Sequence, residues 1–461
     1  MSSAKQGISV NQKNSQLTFF CMLLAICIVL FRTEPGFAAP TIHEGVASCS
    51  GSECHARQAS TGLVVRQNEI ITWQSPSSAA GSHSRAWQVL NGRRASQIAQ
   101  KLGLESAARA PQCLGCHTDP IATAQRGARF QISDGVGCEA CHGGSGQWLS
   151  SHRAVGASHS NNVARGMIAL DQPKQRAAVC LDCHMGSQAP GQFASHKIMA
   201  AGHPRLSFEL DLFTELQRHH DVDSDYAARK YVAGGVKTWA VGQSLLVSRA
   251  LGLYVSSTKA RAGSFPELSF MDCHACHRPI SDDPSLSPKA VANSERGTAI
   301  DTPSFNDQNM IMLSAAIRSA VPEYSSRFET QSRALHFAIA FDQKSVVPNA
   351  ERLLATTEAV TDALAGHVFG DKQALGIILD ITDGAQSGRF TDYAGATQAV
   401  MAIDTLLNAE AVNGRIDAQS LKALRTQTDR AYQAVRDSQA FRPVEFRQAL
   451  AQVAQGVRKL L

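Results

Sequence analysis

Aromatic residues are scarce, 6% of 461. A core of ordinary size must therefore be filled by smaller side chains or by something that is not protein. No run of lysine and arginine occurs and the formal charge is a mild +5, which removes the electrostatic case for a nucleic-acid partner. No series of alternating apolar and polar residues is long enough to suggest a set of strands. Beyond residue 31 no apolar stretch is long enough to cross a bilayer. Cysteine is absent from the last 185 residues. With 44% hydrophobic and 18% charged residues the composition is globular, which excludes a wholly disordered or collagen-like chain.

Cysteine is present upstream, in a pattern. Of twelve, Cys21 and Cys27 lie in an N-terminal apolar run, and the other ten form five close pairs, each followed at once by a histidine. The five are CSGSECH (Cys49, Cys54, His55), CLGCH (Cys113, Cys116, His117), CEACH (Cys138, Cys141, His142), CLDCH (Cys180, Cys183, His184) and CHACH (Cys273, Cys276, His277). Four are C-x-x-C-H, the attachment signature of a c-type haem, and the first is a variant with a longer spacer. Two thiols add across the two vinyl groups of one porphyrin, and the histidine next in sequence reaches the iron from the proximal side. Zinc would use two pairs per metal without demanding a histidine after each. Disulfides suit an exported chain but leave five trailing histidines unexplained. A thioredoxin-like redox pair needs a βαβ setting that the sequence lacks. Five covalently attached haems c are the expected cofactors, and they would supply much of the core that aromatic residues do not.

Sixteen histidines are present; five are proximal. A second strong axial ligand keeps a haem iron low-spin and closed to small molecules. Five candidates stand out by their setting: His83 after the first motif, His152 and His159 after the third, His196 and His203 after the fourth. His152 and His159 lie seven residues apart, as do His196 and His203, two helical turns that put such a pair on one face. His43 is a reserve. His219 and His220 follow a polar stretch and rank lower, His274 is constrained inside its own motif, and His336 and His367 read as structural. Which distal histidine serves which motif is not legible in the sequence.

The N-terminus is a polar segment with Lys5 and Lys13, an unbroken apolar run over 17–31, and small residues at Gly36 and Ala38. This is the layout of a secretory signal cut near residue 38; the alternative is an uncleaved anchor. The expected mature chain has no membrane span and lies in the periplasm.

The segment GVGCEACHGGSGQWLSSH (135–152) resembles the multihaem cytochrome c-554 family, which shows a GVGCESCHG-like segment with a histidine soon after and a C-x-x-C-H motif shortly before. HSRAW, NVARGM and HKIMAAGHPRLSFEL look like segments of longer members of that group, and the resemblance covers roughly residues 41–280. It implies periplasmic electron transfer. Two departures stand out: the namesake has four haems where this chain has five motifs, and the first motif is expanded. The namesake also leaves one haem without a distal ligand, so the resemblance admits one five-coordinate site here.

The expected fold is mainly α: a signal segment over 1–38, a pentahaem domain over 39–285 with little regular structure beyond short helices, a polar Pro/Ser-rich linker over 286–309, and an all-α domain over 310–461. Helical periodicity marks 86–102 and 237–254, then 310–319, 328–341, 347–365, 391–411, 418–438 and 444–461, with Asp417 and Pro443 as start signals. Loss of residues 1–38 leaves a charge of about +3, and ten haem propionates would turn that to about −2 with all irons ferric. The leading functional reading is an electron carrier that serves redox partner proteins, with no catalytic residue and mostly bis-histidine haems. The rival is a reductase or oxidase of small nitrogen or sulfur species at one five-coordinate haem. Against the rival, the sequence has no C-x-x-C-K motif.

Overall fold

A computed structural model describes residues 41–58, 67–256, 267–287, 290–298 and 303–461. Residues 1–41 and Ile42–Leu461 form two separate units. The expected signal segment over 1–38, with Cys21 and Cys27, lies outside the described residues.

The second unit is built from helices: α1 (Glu69–Trp73), α2 (Arg93–Leu102), α3 (Pro111–His117), α4 (Cys138–His142), α5 (His159–Ala164), α6 (Pro173–His184), α7 (His196–Ala200), α8 (Leu210–Leu216) and α9 (Ser224–Arg229). Longer helices follow: α10 (Gly235–Ser256), α11 (Gln308–Ala320), α12 (Ser325–Phe341), α13 (Val346–Gly366), α14 (Gln373–Gln386), α15 (Tyr393–Val412), α16 (Ala418–Ala434) and α17 (Pro443–Arg458). Among the described residues there is no strand, only isolated bridges between His43 and Arg126 and between Met271 and Phe305. The mainly α expectation holds, with short helices around the first four motifs and a helical C-terminal half. No helix among the described residues is long and apolar enough to cross a membrane.

Helix α10 organises the packing. Lys237 and Arg249 are its only charged residues, and a helix so apolar all round is a buried one. One side packs on α11, α13 and α15, the other on α6, which ends in the fourth motif, and on α8. Trp239, Leu246 and Leu251 are fully buried; a core tryptophan is worth about 3–5 kcal/mol against alanine. Gly242 makes the approach of α8 possible, since a Cβ there would lie 2.6 Å from Leu210 Cβ. Arg249, near the end of α10, donates from Nη1 to Asp182 (2.6 Å) and to the Gly186 carbonyl (2.8 Å), and from Nη2 to the Ala178 carbonyl (3.3 Å). The guanidinium thus ties α10 to the last turns of α6 and to Gly186 just beyond its C-terminal end, where the helix dipole favours a cation.

Local chemistry sets several ends. Pro111 and Pro173 occupy the first turns of α3 and α6, where a missing N–H costs nothing. Asp417 caps α16 by accepting from the Gln419 and Ser420 amides, both at 2.9 Å, and Pro443 opens α17. The single helix expected over 86–102 is split: Gln88–Asn91 forms a 3-10 turn, and extended Gly92 separates it from α2. Helix α14 was not expected, because Gly376, Asp380, Asp383 and Gly384 break up its apolar face in sequence. In the described part of 286–309, the segment expected as a polar linker, Asn293, Arg296, Ser304, Phe305 and Asp307 are buried.

Candidate functional site

The C-x-x-C-H spacing has a direct geometric meaning on a helix, because residues three and four apart share a face. Helices α3 and α6 end on the second and fourth motifs and α4 is the third motif itself, so both thiols and the imidazole project together. The fifth motif sits on a 3-10 turn, Cys273–Ala275. In the first, the extra spacer residues form a loop that closes on itself: the Cys54 amide donates to Gly51 O (2.8 Å) and the His55 amide to Cys49 O (3.3 Å). The longer spacer thus still returns His55 beside Cys49. All ten motif cysteines are free of disulfides.

Each motif histidine faces a second histidine from elsewhere in the chain. His55 faces His152 with ring centroids 6.2 Å apart. His184 faces His83 at 6.2 Å, His117 faces His203 at 6.3 Å, His142 faces His219 at 6.2 Å, and His277 faces His196 at 6.3 Å. The separation is constant while the interplanar angle runs from 11° to 86°. Rings in direct contact would change spacing with angle. Two metal–nitrogen bonds of about 2 Å, each continued about 1.1 Å to a ring centre, put imidazole centroids about 6 Å apart whatever the twist. The residues therefore fit an iron between each pair, with two thiols beside it.

The tautomers fit as well. Nδ1 of His117 lies 2.8 Å from Ala86 O, that of His152 2.7 Å from Leu149 O, that of His203 2.7 Å from Pro204 O and that of His219 3.1 Å from Gln217 O. A carbonyl only accepts, so Nδ1 carries the proton and Nε2 keeps its lone pair for a metal. Burial, with His219 and His220 nearby, pushes His142 down to about 3. Burial, then His83, pushes His184 down to about 4. Burial lowers His83 and His117 too. These rings are neutral at pH 7, the form that ligates.

The motifs also touch one another. The side chains of Cys49 and Cys138 lie side by side, as do those of Cys116 and Cys183, whose sulfurs lie 3.9 Å from Gly191 O and Gly115 O, which joins the first motif to the third and the second to the fourth. The second contact needs glycine on both sides. A Cβ on Gly115 would lie 2.5 Å from the Gly191 carbonyl, and one on Gly191 2.2 Å from the Pro111 carbonyl, with Gly191 at φ +82. Burial pushes the Cys180 thiol up to about 11 and that of Cys141 to about 12, so neither is a thiolate at neutral pH.

Of the five distal candidates read from sequence, His83, His152, His196 and His203 each face a motif histidine. His159 does not: its Nε2 lies 3.1 Å from Asp171 Oδ1. The place opposite His142 belongs to His219, just beyond α8. Nothing in the LQRHHD segment separates His219 from His220; the fold does so, stacking His220 on Tyr226 at 5.8 Å. His43, the reserve, is buried and hydrogen-bonds Asp119 through Nδ1 at 2.6 Å. His274 packs on Tyr393 at 4.6 Å, His336 is buried 3.6 Å from Asp307, and His367 meets Gln373.

Comparison with known proteins agrees with the motifs. The chain is similar to cytochrome c-554 of Nitrosomonas europaea, with 28% identity over 144 residues, which are 30% of this chain and 53% of the relative. The chain thus spans about half the length of the curated relative it matches. No solved structure matches the chain. Residues 48–143, which carry the first three motifs, match the family of cytochrome c554 and c-prime, and the resemblance read from the sequence is to that family.

Proposed function

We propose that this chain is an exported, periplasmic c-type cytochrome that carries electrons between redox partner proteins on five covalently attached haems, each with two histidine ligands. The observation that carries the reading is the set of five histidine pairs at 6.2–6.3 Å, one for every motif. Cys49, Cys54, Cys113, Cys116, Cys138, Cys141, Cys180, Cys183, Cys273 and Cys276 hold the porphyrins. His55, His117, His142, His184 and His277 are the proximal ligands. His152, His203, His219, His83 and His196 are, in the same order, the distal ones.

When bound, five haems supply five one-electron couples in one chain. The protein's part is to exclude other chemistry. With a second imidazole facing every motif histidine, an iron held between them would have no position left for a small substrate, which favours a carrier over a reductase. The backbone carbonyls on Nδ1 fix ring orientation, so a change of oxidation state needs little rearrangement. The ligands of different motifs interlace along the chain, so no single motif region closes its own site. His152, after the third motif, serves the first, and His203, after the fourth, serves the second.

Carbon monoxide titration of the reduced, haem-counted protein tests the reading. Five haems and no bound gas are expected; fewer haems, or one that takes the gas, would overturn it.

A further inference from the structure

The ten paired imidazoles are not equivalent. Four rest Nδ1 on neutral backbone carbonyls. Among the described residues, only one meets a carboxylate: His55 Nδ1 lies 3.1 Å from Glu69 Oε2. The contact is built, not incidental. The Arg57 amide donates to Gln67 O at 2.8 Å and the Ile70 amide to His55 O at 3.0 Å, so the start of α1 is laced to the backbone of the motif. Gln67 turns the chain there with φ 55, a strained conformation for a residue with a side chain. The Glu69 side chain is mostly buried, 18% exposed, so solvent screens its charge little.

A carboxylate that accepts the Nδ1 proton makes the imidazole more basic and donates density to the metal. A buried negative charge beside the site also opposes the uptake of an electron. Both effects favour the ferric form and lower the potential. We propose that Glu69 is a positioning residue that acts through His55 to make the first motif's haem the lowest in potential of the five. This rests on the functional reading above.

The test is a spectroelectrochemical titration of the full-length haem-loaded protein beside Glu69→Gln, which keeps the shape and loses the charge, and Glu69→Asp, which keeps the charge. In Glu69→Gln the most negative of five one-electron steps should rise by about tenfold in its equilibrium constant, which is 59 mV for one electron, with the other four unmoved. Glu69→Asp should stay nearer the wild type. A lowest step that does not move, or five steps that move together, would overturn the proposal and leave the carrier reading standing. Absence of haem on Cys49 and Cys54, read by mass spectrometry of the wild-type peptide, would overturn both.

Discussion

Replacing Arg296 with methionine probes how the fifth motif is fastened to the helical half. The guanidinium is buried among three aspartates from separate places in the chain. Nε donates to Asp307 Oδ2 (2.8 Å), Nη1 to Asp272 Oδ2 (3.0 Å), and Nη2 to Asp307 Oδ1 (2.6 Å) and Asp392 Oδ2 (2.8 Å). Asp272 directly precedes Cys273, Asp307 precedes α11, and Asp392 caps α15. The substitution keeps the apolar stem and strands three carboxylates. Loss of one partner of a buried ion pair costs about 3–5 kcal/mol. The four bonds do not add further, because a stranded carboxyl can take up a proton. Burial, with Asp272 and Asp307 and against the pull of Arg296, already raises Asp392 to about 7. His336, which also faces Asp307, is pushed down to about 4 by burial and brings no positive charge at neutral pH. The expected loss is about 4 kcal/mol at pH 8.

The pH dependence has a definite sign. A carboxyl whose folded pKa exceeds its unfolded value binds more protons when folded, so its contribution falls as pH rises between the two, by up to about 1.4 kcal/mol per unit. In the wild type this applies to Asp392 between about pH 4 and 7. Asp307 lies below its ordinary value because Arg296 outweighs burial, so its contribution is present at neutral pH and fades only in acid. Without the arginine, burial puts Asp307 beside Asp392 on the raised side. The gap between variant and wild type should therefore be smaller at pH 5 than at pH 8. Urea unfolding followed by helical circular dichroism at both pH values measures it. A loss under about 1 kcal/mol at pH 8, or a gap that does not change with pH, would refute the reasoning.

His219→Ala should open one haem in five, giving one high-spin signal and one carbon monoxide site, while His159→Ala leaves all five low-spin. Resonance Raman spectra of the two variants separate these outcomes. Gly191→Ala should destabilise the protein more than Gly103→Ala. Both glycines have positive φ, +82 and +71, but a Cβ meets the Pro111 carbonyl at 2.2 Å at the first and nothing within 4 Å at the second. The second change should cost about 1 kcal/mol in urea unfolding, and the first clearly more.

The legible part of this protein was the part encoded locally. Each motif is a contiguous run, so five proximal histidines follow from five spacings. Helices α10–α13 and α15–α17 announce themselves by period, and Asp417 and Pro443 by end chemistry. Helix α14 did not, because two glycines and two aspartates interrupt its face in sequence while Ile377, Ile378 and Ile381 still reach the core. The opposite histidines are a non-local matter. His83 and His184 are 101 residues apart in sequence, and their meeting is decided by the fold around them. His159 and His219 make the point most sharply. His159 sits in a motif-like setting, yet Asp171 engages its Nε2. His219 sits in an unremarkable polar stretch, yet the turn after α8 carries it to His142. Arg296 was hidden for a similar reason: a polar, serine-rich segment reads as solvated until three distant aspartates converge on it.

The central claim is that every iron in this chain has two histidine ligands. The most direct measurement counts haems by their pyridine haemochrome, reduces the purified full-length protein, and titrates it with carbon monoxide while following the Soret band. Five haems per chain with no spectral change on adding the gas is the expected result. A shift in about one fifth of the Soret intensity would reveal an open iron, contradict the pairing, and turn attention to catalysis at that site.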